Sequence, residues 1–371
     1  MPEMMERIER LRALMQERGY DAVVLRNNPD LRWLTGIARV FDDEVAHTVV
    51  VTADKLLLHT DSRYYGSFVE RMGEDSPWVV DEEIVSHAAW CAARLRELRA
   101  RVVAIEDTLT LGFYESLVSE LGKISAACLM PRLHGDLSLV RMTKDAEELS
   151  LLRRAQEITD KSFDHICSFI QPGMTELAIR AELEASMLGL GAHGLSFETI
   201  IASGPNGANP HARPSERVVE TGDLIVMDYG ALFNDYHADM TRTVSVGGPS
   251  DEQRAVYDVV RKAHETCAEA ARPGMCGREL HELAVQVISE AGYGAYFNHG
   301  LGHGVGVEIH ERPHVGRRSE DSIPVGGVFT IEPGIYLPGR FGIRLEDTGV
   351  MGEQGFESFA SSTHELVVVG R

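Results

Sequence analysis

The chain of 371 residues is 44% hydrophobic and 25% charged, the balance of a folded globular protein with room for two domains rather than of a disordered one. Its formal charge of −21 argues against nucleic acid or an anionic membrane as partner and favours cationic ligands such as peptide amino termini. Five cysteines, Cys91, Cys128, Cys167, Cys267 and Cys276, show no Cys-x-x-Cys spacing, which suits a reducing cytoplasm, and no apolar run approaches a membrane span.

From Met1 to Glu17, charges alternate with Ile8, Leu11, Leu14 and Met15 at helical spacing, which predicts an amphipathic helix and not a signal peptide. Strand patterns at Ala22 to Leu25, His47 to Thr52, Leu56 to Leu58 and Val102 to Ile105 alternate with helical ones, so residues 1–135 are expected to form a small α/β domain. Thr143 reads as the N-cap of a long helix carrying Leu149, Leu152, Ala155 and Ile158. The boundary therefore falls between residues 132 and 143, and a second domain covers 140–371.

That second domain is internally duplicated. Pro172-Gly173-Met174 matches Pro273-Gly274-Met275, His211-Ala212-Arg213-Pro214 matches His310-Glu311-Arg312-Pro313, Asp228 matches Glu332 and Asp239 matches Glu346. Each half supplies two helices, an extended segment bearing a histidine, and a β-hairpin with two acids in apolar strand. The expected fold class is α+β, a curved and mostly antiparallel sheet backed by helices with a pseudo-twofold axis. If the first hairpin turns at Asn234-Asp235, Asp228 opposes Thr241; if the second turns at Gly339, Glu332 opposes Glu346. Facing carboxylates destabilise a ladder, and burying them unpaired costs several kcal/mol, whereas a cation between them removes both penalties.

Between the hairpins, the glycine-rich run Gly300-Leu301-Gly302-His303-Gly304 offers an imidazole. Asp228, Asp239, His303, Glu332 and Glu346 thus form a candidate binuclear metal site, for which two manganese ions are favoured and cobalt, iron or zinc are alternatives. Two close cations acidify water and polarise a carbonyl, chemistry suited to amide hydrolysis. Glu332 is the candidate proton carrier, and His211 and His310 are the candidate oxyanion or peptide donors, with His299 on the same wall. Strand alternation puts Arg344 on the face of Glu332 and Glu346. His237 reads as an exposed hairpin residue.

These motifs, Met-Asp228-Tyr-Gly, Ala-Asp239-Met-Thr-Arg-Thr, Gly-His303-Gly-Val-Gly, Ile-Glu332-Pro-Gly and Arg-Leu-Glu346-Asp-Thr, resemble a metallopeptidase of the pita-bread fold. The resemblance spans residues 140–371, and the size of the preceding domain is similar to the creatinase-like domain of Xaa-Pro aminopeptidases and prolidases. It implies manganese-dependent cleavage of short peptides with proline at the second position, a homodimer, substrate contacts from His211 and His310, an active-site role for His299, and supporting positions for Arg344 and Tyr336. Leu301 departs from the family, where a small polar residue is frequent. Xaa-Pro aminopeptidase is the first expectation, Xaa-Pro dipeptidase the second, and a lyase or a silent peptide-binding protein on the same scaffold the third.

Overall fold

Ile8, Leu11 and Met15 bury one stripe of α1 (Pro2–Arg18), as their spacing requires. Residues 2–42 and 44–370 are described in this computed structural model, and the chain divides into two units, Met1–Arg141 and Met142–Arg371. After α1 the first unit runs β1 (Ala22–Leu25), α2 (Asn28–Thr35), β2 (Thr48–Thr52), β3 (Leu56–His59), α3 (Tyr65–Met72), β4 (Trp78–Asp81), α4 (His87–Glu97), β5 (Val103–Ile105), α5 (Leu111–Lys123) and α6 (Asp136–Met142). The strands form one sheet in the order β4-β3-β2-β1-β5. All four residues of β1 are buried, because helices cover a strand that has neighbours on both edges; Trp90, Leu95, Phe113 and Leu117 pack on Val24 and Val50.

In the second unit, α7 (Ala146–Phe169) starts two residues later than expected. Its cap is Asp145, whose Oδ1 accepts from the Glu148 amide at 2.9 Å while the Asp145 amide donates to Glu148 Oε2 at 3.0 Å. Thr143 is instead extended and bridges Gly327. There follow α8 (Glu176–Gly189), β6 (Gly194–Leu195), β7 (Ile200–Ser203), β8 (Leu224–Tyr229), β9 (Ala231–Phe233), β10 (Tyr236–His237), β11 (Met240–Val246), α9 (Asp251–Ala270) and α10 (Gly277–Glu290). The remainder is β12 (Gly302–Gly304), β13 (Glu311–Val315), β14 (Val328–Ile331), β15 (Gly334–Leu337), β16 (Phe341–Arg344), β17 (Asp347–Met351), β18 (Phe356–Ser358) and β19 (Val368–Val369).

The two halves bury their cores in the same way. Ile158, Phe163, Ile179 and Leu183 from α7 and α8 lie on Ile225, Met227 and Val244 of the sheet β19-β11-β8-β7. Val256, Val260, Leu280 and Ala284 from α9 and α10 likewise share a core with Phe329 and Ile331 of the sheet β13-β12-β14-β17-β18. Two such halves, each a sheet backed by a pair of helices, make up the second unit, as expected of residues 140–371, and a smaller α/β unit precedes it in the chain. Among the described residues, no helix is long and apolar enough to cross a membrane.

Hairpin register delivers the acids to the centre. Asn234 and Asp235 both adopt positive φ, the tight turn whose twist suits a hairpin; Phe233 pairs with Tyr236 and, in the same register, Asp228 with Thr241. Gly230 sits at the bend between β8 and β9, where a Cβ would come within 1.8 Å of the Ala238 carbonyl oxygen. In the second hairpin, Leu337 pairs with Phe341 around Gly339, and Gly334 with Arg344. The ladder then opens for two residues on each strand and resumes with Ile331 opposite Asp347. Glu332 and Glu346 occupy that gap: the Glu332 amide donates to the Leu301 carbonyl at 2.8 Å and the Glu346 amide to that of Thr241 at 3.1 Å.

Candidate metal centre

Asp228, Asp239, His299, His303, His310, His211, Glu332, Arg344 and Glu346 all line one cavity of about 480 Å³. Tyr336 lies buried behind it. Asp239 and Glu346 are almost fully buried, while Asp228, His303 and Glu332 are half-buried.

His303 is fixed by its own strand. Its Nδ1 is 3.1 Å from the Gly304 carbonyl, so the tautomer that donates there turns the Nε2 lone pair toward the acids, 3.5 Å from Asp239 Oδ2 and 3.5 Å from Glu332 Oε1. Burial lowers its pKa to about 4, which keeps the ring neutral and able to bind a cation at ordinary pH. Gly302 permits this placement, since a Cβ there would meet the Thr330 carbonyl at 2.0 Å.

Arg344 organises the carboxylates. Its Nη2 donates to Asp228 Oδ2 at 2.5 Å, its Nε to Thr241 Oγ1 at 3.0 Å and its Nη1 to the Tyr336 hydroxyl at 2.9 Å. Thr241 passes the order on, donating to Glu346 Oε2 at 2.6 Å. Tyr336 OH also lies 3.0 Å from His299 Nε2, so His299 is tied to the acids through Tyr336 and Arg344 and its other nitrogen is 2.7 Å from the Gly300 carbonyl. His310 packs on His303 with ring centroids 4.2 Å apart, and His211 is exposed at the cavity rim.

The electrostatics favour a cation. Burial, then the neighbouring acids Glu346, Asp228 and Glu332, push the Asp239 carboxyl well above its usual range; burial followed by Glu332 and Asp228 does the same to Glu346. Glu332 is pushed up to about 8, chiefly by burial, with Arg344 opposing and Asp228 adding to the rise. Asp228 Oδ1 is buried with no hydrogen-bond partner among the described residues. Four ionised acids against one guanidinium leave three negative charges in the cavity, and two divalent ions would turn that to a single positive one. A donor set of four carboxylates and one imidazole, with an orphaned carboxylate oxygen aimed inward, fits such ions.

Three features of the site escaped sequence reasoning. The Thr241 hydroxyl link was foreshadowed only by its register opposite Asp228. The Pro210 carbonyl, 3.3 Å from Arg344 Nη1, and the wall formed by Phe197, Glu198 and Thr199 left no signal. His237, expected to be exposed, is half-buried, because other segments cover it: its Nδ1 is 3.1 Å from the Ser196 carbonyl and its amide donates to the Gly306 carbonyl at 3.0 Å.

Residues 150–353 match the Metallopeptidase family M24 pattern, and residues 7–133 match the Creatinase/Prolidase N-terminal domain. The chain is 32% identical to the Xaa-Pro dipeptidase of Pyrococcus horikoshii, over 98% of this chain and 99% of that protein. The solved Xaa-Pro dipeptidase from Bacillus anthracis matches with a TM-score of 0.90 at 35% identity, covering 99% of this chain and 100% of that one. An X-Pro aminopeptidase from Thermotoga maritima MSB8 matches at 0.87 and 35% identity, covering 98% and 99%. With an acid-lined cavity built from both halves of a pita-bread unit, the chain belongs to metallopeptidase family M24.

Proposed function

We propose that the protein hydrolyses the bond between an amino-terminal residue and a following proline, with the Xaa-Pro dipeptide as its preferred substrate. The observation that carries the reading is the convergence of Asp228, Asp239, His303, Glu332 and Glu346 on one cavity in a chain that aligns end to end with Xaa-Pro dipeptidases. The end-to-end likeness supports the dipeptidase over the aminopeptidase that the sequence alone put first. The aminopeptidase remains the second reading, supported by the full-length likeness to the Thermotoga maritima enzyme.

The five residues would hold two divalent ions, manganese by donor chemistry, and the ions would supply Lewis acidity and an activated water. Glu332, which lines the cavity and would be ionised beside the cations, is suited to take a proton from the attacking water and return it to the leaving prolyl nitrogen. His211 and His310 face the cavity where a peptide carbonyl would polarise, and donate to the developing oxyanion. Tyr336 and Arg344 orient His299 and Asp228. The five free cysteines support a reducing compartment, the cytoplasm.

The deciding assay compares Xaa-Pro with Xaa-Pro-Xaa peptides on chelated protein reloaded with manganese. Turnover of the dipeptide alone supports the dipeptidase, turnover of both supports the aminopeptidase, and turnover of neither by metal-loaded protein refutes both.

A further inference from the structure

Outside the catalytic cavity, the second unit gathers another set of metal-binding side chains from three separate elements. His264 comes from α9, Asp347 opens β17, and His364 lies in the loop before β19; one donor atom of each lies within 4.8 Å of the other two. Asp347 Oδ2 is 2.9 Å from His364 Nε2 and 3.8 Å from His264 Nε2, and the two rings stand edge to face with centroids 4.7 Å apart. These separations bracket the about 3.4 Å expected between donors around a tetrahedral ion bound at about 2.1 Å.

His264 gives the independent sign of a ligand. Only 1% of its side chain is exposed, yet neither ring nitrogen has a hydrogen-bond partner among the described residues. A buried imidazole in a satisfied core donates or accepts at one nitrogen at least. Asp347 is differently placed: Arg242 Nη2 holds its Oδ1 at 2.8 Å, and the Ser358 hydroxyl donates to Oδ2 at 2.9 Å, so the carboxylate is anchored with Oδ2 presented to both rings. His364, with 31% of its side chain exposed, leaves a way in from solvent.

We propose that His264, Asp347 and His364 form an auxiliary metal site for a zinc-class ion, separate from the catalytic centre. Two imidazoles and one carboxylate suit a borderline-soft ion in tetrahedral coordination, with water as the fourth ligand, whereas the carboxylate-rich catalytic cavity suits a harder one. The two sites therefore select different metals. Because Asp347 directly follows Glu346, an ion here would clamp the start of β17 and with it the position of the neighbouring acid of the catalytic cavity.

The test counts metal and needs no turnover. Protein stripped with chelator is saturated with manganese, exposed to stoichiometric zinc, desalted and analysed by mass spectrometry for both metals. The wild type is expected to retain one more zinc per chain than either His364→Ala, at the solvent edge, or His264→Gln, which keeps the side-chain bulk. Diffraction from the zinc-treated wild type at the zinc edge is expected to place an anomalous peak between the two rings. Equal zinc content in all three proteins, or zinc peaks confined to the catalytic cavity, would overturn the proposal.

Discussion

Consider Glu332→Gln in protein freed of metal. In the unfolded chain this carboxyl ionises near its ordinary value of 4.5, whereas in the folded protein it keeps its proton to about 8, mainly because burial disfavours the anion. Between those pH values the folded state binds the proton that the unfolded state has released, so stability falls as pH rises. The contribution of Glu332 is fully present below pH 4.5 and gone above about 8. Three and a half decades of proton affinity correspond to ~5 kcal/mol, a ceiling that water entering on ionisation would reduce. Glutamine has no proton to lose, so the variant and the wild type should be equally stable at pH 5 and separate steadily above it. For a unit of this size the gap amounts to a melting temperature ~10–20 °C higher for the variant at pH 9. Calorimetry in chelator from pH 5 to 9 measures it, and histidines outside the site cancel in the difference. Manganese should then invert the order, because the wild type gains a ligand for the ion that the variant lacks. Melting curves that run parallel across the whole range would show that Glu332 ionises in bulk-like water, and the electrostatic account of the centre would fail.

Other outcomes follow from the same geometry. Replacing Arg344 by methionine strips the donor from Asp228, Thr241 and Tyr336 together, and manganese affinity measured by titration should fall roughly 10–100-fold; lysine should rescue little, since a point charge cannot serve three partners. His211→Ala and His310→Ala should each lower kcat/KM by roughly 100–1000-fold with metal content unchanged, whereas loss of bound manganese would reassign them to the metal shell. Gly230→Ala forces a methyl against the Ala238 carbonyl and should cost about 3 kcal/mol or more in urea unfolding, with the hairpin carrying Asp228 and Asp239 opening first.

The central hairpins were legible because period-two alternation and turn chemistry are local. Asn234-Asp235 dictates a register that carries Asp228 to Thr241, and the repeat of Pro-Gly-Met and His-x-Arg-Pro announced two halves before any contact was known. The start of α7 was misplaced because Thr and Asp are comparable caps, and what decides between them is the pairing of Thr143 with Gly327, nearly two hundred residues away. The same limit hid Pro210 at Arg344 and the trio His264, Asp347 and His364: such groups share no sequence period and meet only when α9, β17 and the carboxyl-terminal loop pack together. His237 was misjudged because a hairpin position says nothing of which end of the hairpin is covered.

The two-residue opening between β14·β17 and β15·β16 makes this hairpin length-locked. Pairing on either side of Glu332 and Glu346 follows a single alignment about Gly339, so adding or deleting one residue in the turn would rotate every side chain beyond it to the opposite face and swing Glu346 out of the cavity. The segment around His211, between β7 and β8, carries no such ladder among the described residues. Natural variation in substrate preference should therefore accumulate as insertions there, while the distance in sequence from Glu332 to Glu346 stays fixed.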